Sequence, residues 1–342
     1  MNHKSALRGT ALLVGAALAL TGCSTVGSVA APKASSNAKM VMVTVVKAQT
    51  IPWFQRMDVG VKSFASRTGI DAREEGADDV SPEKQVKIIQ DLIAQHPTAI
   101  TVVPNSPESL TSVLKQAKDQ GIIVVSHEAT GIANVDIDIE AFDNASYGKE
   151  IMDNLSKCMG GKGEYVQFVG SLTAKTHMEW VGAAYADQTA NFPGMKRVET
   201  PIESTDDQGT AYARAKEVLA KYPNIAGFEG SAGNDVPGIA RAVQEAGLQN
   251  KTCVMGTSIP SVANQYLADG SIDKIFFWDP ALAGEAQLAI AQTLAKGGSI
   301  KEGTDLGIKG YNSLKKLAGY DNVFVGAASV AADAKTAAQY KF

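Results

Sequence analysis

The sequence predicts an α/β protein of two doubly wound parallel-sheet domains. Three observations predict it. Apolar, β-branched runs of strand length alternate with amphipathic stretches of helix length from residue 40 to about residue 296. The alternation runs through twice, which gives each half a sheet of its own. Scarce aromatic and histidine side chains gather where strands end, the edge at which open α/β sheets bind ligands.

The first strand, expected at 41–47, is the unbroken run Met40-Val-Met-Val-Thr-Val-Val46. Such a run suits a strand buried on both faces. The turn after it, Lys47-Ala-Gln-Thr-Ile-Pro-Trp-Phe-Gln-Arg-Met57, has no glycine to let backbone approach a phosphate. It offers a lysine, a proline and two adjacent aromatics instead. A helix is expected over 53–68 and a strand over 70–75. Ser81-Pro82 starts the next helix, with Ser as N-cap and Pro at its first position. Val86, Ile89, Leu92 and Ile93 form its apolar stripe. Strand 99–103 ends at Pro104-Asn105. Ser106-Pro107 opens a further helix in the same way, and Gly121 closes it. Strand 122–126 ends in Ser126-His127-Glu128. In the second half strands are expected near 164–169, 196–202, 225–229, 253–257 and 273–278, with a last helix over 280–296. Val323-Phe-Val325 is one more strand-like piece in a less regular tail.

The chain has 342 residues, 45% apolar and 20% charged, an ordinary globular composition long enough for two domains. Lys4 and Arg8 precede an apolar run from Ala11 to Leu20 that is too short for a membrane span and reads as a signal-peptide core. It ends in Leu20-Thr-Gly-Cys23, which resembles a bacterial lipobox. Cleavage there makes Cys23 a lipidated first residue, and the Ser-, Ala-, Gly- and Pro-rich stretch behind it suits a flexible tether. Removing residues 1–22 takes away two basic groups and no acids, leaving 30 basic against 36 acidic side chains without a basic cluster. That argues against nucleic acid and against electrostatic membrane binding, so membrane attachment is expected through the lipid alone. Two further cysteines, Cys158 and Cys253, each lie just before an expected strand. Outside the cytoplasm they form either a structural disulfide or two buried thiols.

The strand-end rule selects a short list: Lys47, Trp53 and Phe54, Asn105, His127-Glu128, Thr176-His177, Ser231 and Gly233, and Trp278-Asp279. Trp180 lies near them but well inside its helix, and reads as core. Aromatic faces beside a few charged groups suit a sugar. Its C–H face packs on a ring, carboxylates accept from its hydroxyls, and Lys, His and Asn donate. His127 and Glu128 are adjacent in an extended segment, so only one of them faces a ligand. Asp279 precedes Pro280 and also fits the N-cap of the last helix. Enzyme motifs are missing. Gly230-Ser-Ala-Gly233 lacks the spacer of a nucleophile elbow. Met159-Gly-Gly-Lys-Gly163 precedes a strand and has no Lys-Ser/Thr pair. No helix carries paired metal ligands at i, i+4, so no metal or other cofactor is expected.

With these residues in view, the chain resembles the sugar-binding proteins of bacterial ABC importers, of the type I periplasmic-binding-protein fold. Pro52-Trp53-Phe54 resembles the family's Pro-aromatic-aromatic turn, Phe142-Asp-Asn144 with Gly148 its crossing into the second domain, and Gly270-Ser-Ile272 with Phe277-Trp-Asp-Pro280 and Gly284 its last strand and return helix. Within the group it is nearest the rhamnose- and autoinducer-2-binding branch, through Lys47, Trp278-Asp279 and the terminal Gln339-Tyr-Lys-Phe342. It departs from the autoinducer-2 receptors at His127-Glu128 and Thr176-His177, where they carry an Asp-containing pair and Asp-Gln.

The resemblance implies two lobes joined by a hinge of three chain crossings, closing on one small molecule. The expected division is 40–142 with 281–310 in the first lobe, and 143–280 with 311–342 in the second lobe and hinge. The implied activity is binding without chemistry. The ligand is a rhamnose-like deoxy-sugar, a pentose or a similar monosaccharide, handed by a monomer to an ABC permease. Lys47, Glu128, His177 and Asp279 would hydrogen-bond it, Ser231 and Gly233 would offer backbone groups, and Trp53 or Phe54 would stack. The alternatives are autoinducer-2 binding, sugar sensing for a chemoreceptor or histidine kinase, and a sugar-active enzyme using Glu128 with Asp279.

Overall fold

A computed structural model describes residues 39–342. The expected signal peptide, Cys23 and the tether up to residue 38 lie outside the described residues. The first lobe starts with β1 (Val41–Val46), α1 (Pro52–Thr68), β2 (Asp71–Gly76), α2 (Pro82–Ile93), β3 (Ala99–Val102), α3 (Pro107–Asp119), β4 (Ile123–Ser126) and β5 (Ile137–Glu140). β1 is buried from Met42 onward because helices cover both faces of its sheet. Ser81 caps α2 by accepting from the Lys84 N–H at 3.2 Å. Ser106 stands at the N-cap of α3, but its hydroxyl accepts from Ser109 Oγ rather than from backbone.

The chain then crosses to the second lobe: α4 (Asn144–Met159), β6 (Gly163–Val169), α5 (Lys175–Asn191), β7 (Met195–Arg197), β8 (Ile202–Glu203), α6 (Gln208–Lys221), β9 (Gly227–Gly230), α7 (Asp235–Glu245), β10 (Cys253–Thr257), α8 (Pro260–Asp269) and β11 (Lys274–Phe277). Where one strand was expected over 196–202, the chain makes two short ones, both paired with β6. It returns as α9 (Pro280–Ala295), which packs on α1 of the first lobe. The helix pairs touch backbone to backbone. A Cβ on Gly60 would lie 1.9 Å from Ala281 O, and one on Gly148 2.2 Å from Trp180 O.

The tail corrects the expected division. β12 (Lys315–Lys316) and β13 (Val323–Val325) belong to the first sheet, not the second. β13 pairs in parallel with β5 and buries all three of its side chains there. Only β14 (Val330–Ala332) joins the second sheet, antiparallel to β11. The sheet orders are β12-β13-β5-β4-β3-β1-β2 and β14-β11-β10-β9-β6-β7. The chain therefore passes between the sheets three times: after β5, after β11 and after β13. Cys158 and Cys253 form a disulfide at the strand-start end of the second sheet. Among the described residues no helix is long and apolar enough to cross a membrane.

Candidate functional site

The carboxyl ends of both sheets face each other across a cleft, and the cleft is closed. Between its walls lies a small cavity, lined from the first lobe by Lys47, Ile51, Trp53, Phe54 and Glu128. The second lobe lines it with His177, Trp180, Asp206, Ser231, Gly233 and Thr257, and Trp278 from the β11–α9 crossing completes it.

Lys47 leaves the end of β1 and sends its ammonium to Glu128 Oε2 at 2.7 Å. Both side chains are 4% exposed. Burial pulls the ammonium's pKa down, but the Glu128 and Asp206 carboxylates outweigh it and hold Lys47 above its ordinary value. Gln85 of α2 fixes this corner. Its amide donates to the carbonyls of Val46 and Val103, and its oxygen accepts from the Asn105 N–H. Glu128 has φ +59°, a left-handed conformation that costs a non-glycine residue about 1–2 kcal/mol. Neighbours hold it there. The Ala129 N–H is bound by Glu140 at 2.8 Å, and Thr176 Oγ1 of the second lobe donates to the Glu128 carbonyl at 3.3 Å.

Across the cavity, His177 Nδ1 accepts from the Gly170 N–H at 3.2 Å, so its proton sits on Nε2. Burial first, and the Lys47 charge second, hold this ring well below its ordinary pKa, so it is a neutral donor. Gly233 presses on the first lobe; a Cβ there would lie 3.2 Å from Trp53 Cε3. The aromatic wall continues through the hinge. Trp53 meets Trp278 edge-on at 4.6 Å, Trp278 meets Phe142 at 5.1 Å and Trp180 at 5.8 Å, and His177 lies on Trp180 at 5.3 Å. The indole N–H groups of Trp53 and Trp278 are buried beside the cavity without a partner among the described residues, which is uncommon for buried donors.

Of the residues expected at the site, Lys47, Trp53, Phe54, Glu128, His177, Ser231, Gly233 and Trp278 line the cavity. Four do not. Asn105 is buried behind it, its amide donating to the Lys47 carbonyl at 3.3 Å. His127 does not line it: the left-handed backbone at Glu128 breaks the expected alternation and leaves His127 Nε2 3.9 Å from Glu128 Oε1, while its Nδ1–H donates to Ile139 O at 2.6 Å and burial lowers its pKa. Thr176 acts on Glu128's backbone. Asp279 is taken by Arg56, which donates to both its oxygens at 2.8 and 2.7 Å, and by the N–H of Ala281 in α9. The Glu128–Asp279 carboxylate pair of a sugar-active enzyme is therefore not assembled. Of the expected backbone groups, the Ser231 N–H donates to Phe168 O and the Gly233 carbonyl accepts from Ser258 Oγ. Trp180, which reads as core from its place well inside a helix, lines the cavity while donating to Asn144 Oδ1 at 2.8 Å. Asp206 and Thr257 were not on the list. Asp206 follows the two-residue β8, and only its acidity next to a strand end could have marked it.

This architecture, two parallel sheets with a polar, aromatic-walled cavity at the three crossings, is that of a bilobal binding protein. The model of the periplasmic binding protein domain matches residues 42–299, about three quarters of the chain, and the chain belongs to that family. It is 24% identical over 269 residues to the D-ribose/D-allose-binding protein of Pseudomonas aeruginosa, covering 75% of this chain and 82% of that one. LsrB from Clostridium saccharobutylicum, solved in complex with AI-2, superposes with a TM-score of 0.82 at 18% identity, covering 89% of this chain and all of that one. An ABC transporter solute-binding protein from Clostridium phytofermentas with bound L-rhamnose superposes with a TM-score of 0.80 at 19% identity, covering 89% and 99%.

Proposed function

We propose that this protein binds one monosaccharide outside the cytoplasm, a rhamnose-like deoxy-sugar, a pentose or a similar ring, and delivers it to an ABC importer without chemical change. The observation that carries the reading is the cavity itself. Aromatic faces stand on one side of it, and a buried Lys47–Glu128 pair and a neutral His177 donor point into it. Trp53 or Phe54 stacks on the sugar, Lys47 and His177 donate to its oxygens, and Glu128 accepts from a hydroxyl. Charge-assisted bonds of this kind are roughly twice as strong as neutral ones. The family and the sugar-binding relatives support the reading. Leu20-Thr-Gly-Cys23 supports export and a lipid anchor at Cys23. One ligand per cavity needs no more than a monomer.

Calorimetric titration of Trp53→Ala/Lys47→Ala tests the assignment. We expect monosaccharide binding to be lost; unchanged affinity would overturn it. Autoinducer-2 is the second reading, favoured by the overlap with LsrB, and belongs in the same titration. A sensing role needs the same site and differs only in the membrane partner. Loss of sugar uptake on deleting the importer's permease separates the two.

A further inference from the structure

The cavity holds one carboxylate that has no hydrogen-bond partner among the described residues. Asp206 is 8% exposed, yet its side chain accepts no hydrogen bond among the described residues; only its carbonyl is used, by Asn234 Nδ2 at 2.8 Å. The backbone is set to hold it there. Thr205 and Asp206 are both left-handed, at φ +57° and +52°. Two consecutive non-glycine residues in that region are a strained arrangement of the kind that clusters at functional sites. The carboxylate lies flat over Gly170. A Cβ there would come within 2.5 Å of Asp206 Oδ2 and 2.6 Å of Oδ1, so the absent side chain makes its seat. Gly170 is the residue whose N–H fixes His177. Asp206 faces both the cavity and the cleft mouth, which also carries Asp78, Asp79 and Asp207. Lys84 is the basic group paired with Asp78 and Asp79 there, at 2.7 and 2.8 Å.

We propose that Asp206 is a ligand-binding carboxylate that sets a charge filter: it accepts from two neighbouring hydroxyls, or from an ammonium, and rejects sugars that carry a negative charge. The argument rests on the sugar-binding reading and deepens it. Lys47 is already committed to Glu128, and His177 is neutral. With Asp206 the lining carries two carboxylates against one ammonium. A uronate or sugar phosphate would add a third anion to a closed, desolvated space whose lining offers it only the one ammonium that Glu128 already pairs. A neutral vicinal diol gives the idle carboxylate the two donors it lacks.

The test is titration of the whole protein and of Asp206→Asn with matched probes: L-rhamnose, D-ribose and D-ribose 5-phosphate, and D-glucose, D-glucosamine and D-glucuronate. Asparagine keeps the shape and removes the charge, and unchanged melting temperatures without sugar show that both proteins are folded. In the wild type we expect a neutral or aminated member to bind, and its anionic partner to bind at least tenfold more weakly. In Asp206→Asn we expect the neutral sugar to weaken by roughly tenfold to a hundredfold, the range for losing a hydrogen bond to a charged group, and the anion penalty to shrink. If a neutral sugar binds but its anionic partner binds equally well, or if Asp206→Asn leaves both affinities unchanged, the filter is wrong while the sugar reading stands. If no probe binds the wild type, both are wrong.

Discussion

Glu128→Gln isolates the ion pair at the base of the cavity. The substitution keeps the shape and the left-handed backbone, so what changes is charge. Lys47 and Glu128 are each 4% exposed, and removing one partner of a buried pair typically costs about 3–5 kcal/mol because the other charge is left uncompensated. Asp206 also acts on Lys47, which places the expected loss near the lower limit, about 3 kcal/mol. With an unfolding entropy of about 2.1 cal/mol/K per residue over roughly 300 folded residues, that lowers the melting temperature by about 5 °C. The assay is calorimetric melting without sugar. Lys47→Met/Glu128→Leu carries the test further. Replacing a whole buried pair by apolar groups is often neutral or stabilising, so the double variant should melt above the single one and near the wild type, yet bind no sugar. A single variant as stable as the wild type, or a double variant as unstable as the single one, would refute the reasoning.

Burial holds the Glu229 carboxyl at about 8, and Gln167 and Arg197 offset only part of this. A raised folded pKa means the folded state keeps its proton longer, so the stabilisation is complete below the ordinary value of 4.5 and is lost as pH rises to about 8. Urea unfolding across this window should show Glu229→Gln gaining on the wild type as pH rises, and parallel profiles would contradict it. Cys158–Cys253 closes a loop of 95 residues, so Cys158→Ser/Cys253→Ser should lose about 2–5 kcal/mol of stability by denaturant unfolding. It should leave sugar affinity alone, because the bridge sits at the opposite end of the strands from the cavity. Asp279→Asn should lower stability by about 1 kcal/mol through the weakened Arg56 pair and change the sugar dissociation constant by less than about threefold, a neutral-bond effect at most; loss of binding on titration would put Asp279 back among the ligand contacts.

The strand–helix alternation was legible because apolar runs and Ser-Pro or Gly punctuation are local signals. β5 was not, since Ile137-Asp-Ile-Glu140 alternates carboxylates with isoleucines and reads as solvent-facing. Its acids are buried because the Ser126 hydroxyl and the N–H groups of Ala129 and Gly131 receive them, partners that only the fold supplies. The division of the tail failed for a related reason: the partner of the short β13 is β5, about 185 residues earlier in the chain. The cavity wall was half legible. Lys47, Trp53 and Glu128 stand at the ends of strong strands, or one turn beyond. Asp279 stands at such an end too, but Arg56, 223 residues away, claims it. Asp206 was missed because its orientation depends on two left-handed residues after a two-residue strand, and nothing in the Ser-Thr-Asp-Asp stretch announces that conformation.

The most direct test of the central claim is thermal unfolding of the protein against a panel of pentoses, hexoses, deoxy-sugars, polyols and autoinducer-2. A ligand at 100 times its dissociation constant adds about 2.7 kcal/mol, enough to raise the midpoint by about 4 °C in a protein of this size. Such a rise is expected for one sugar or a few related ones. No rise across the panel, with mass spectrometry of the denatured protein finding no copurified sugar, would contradict it.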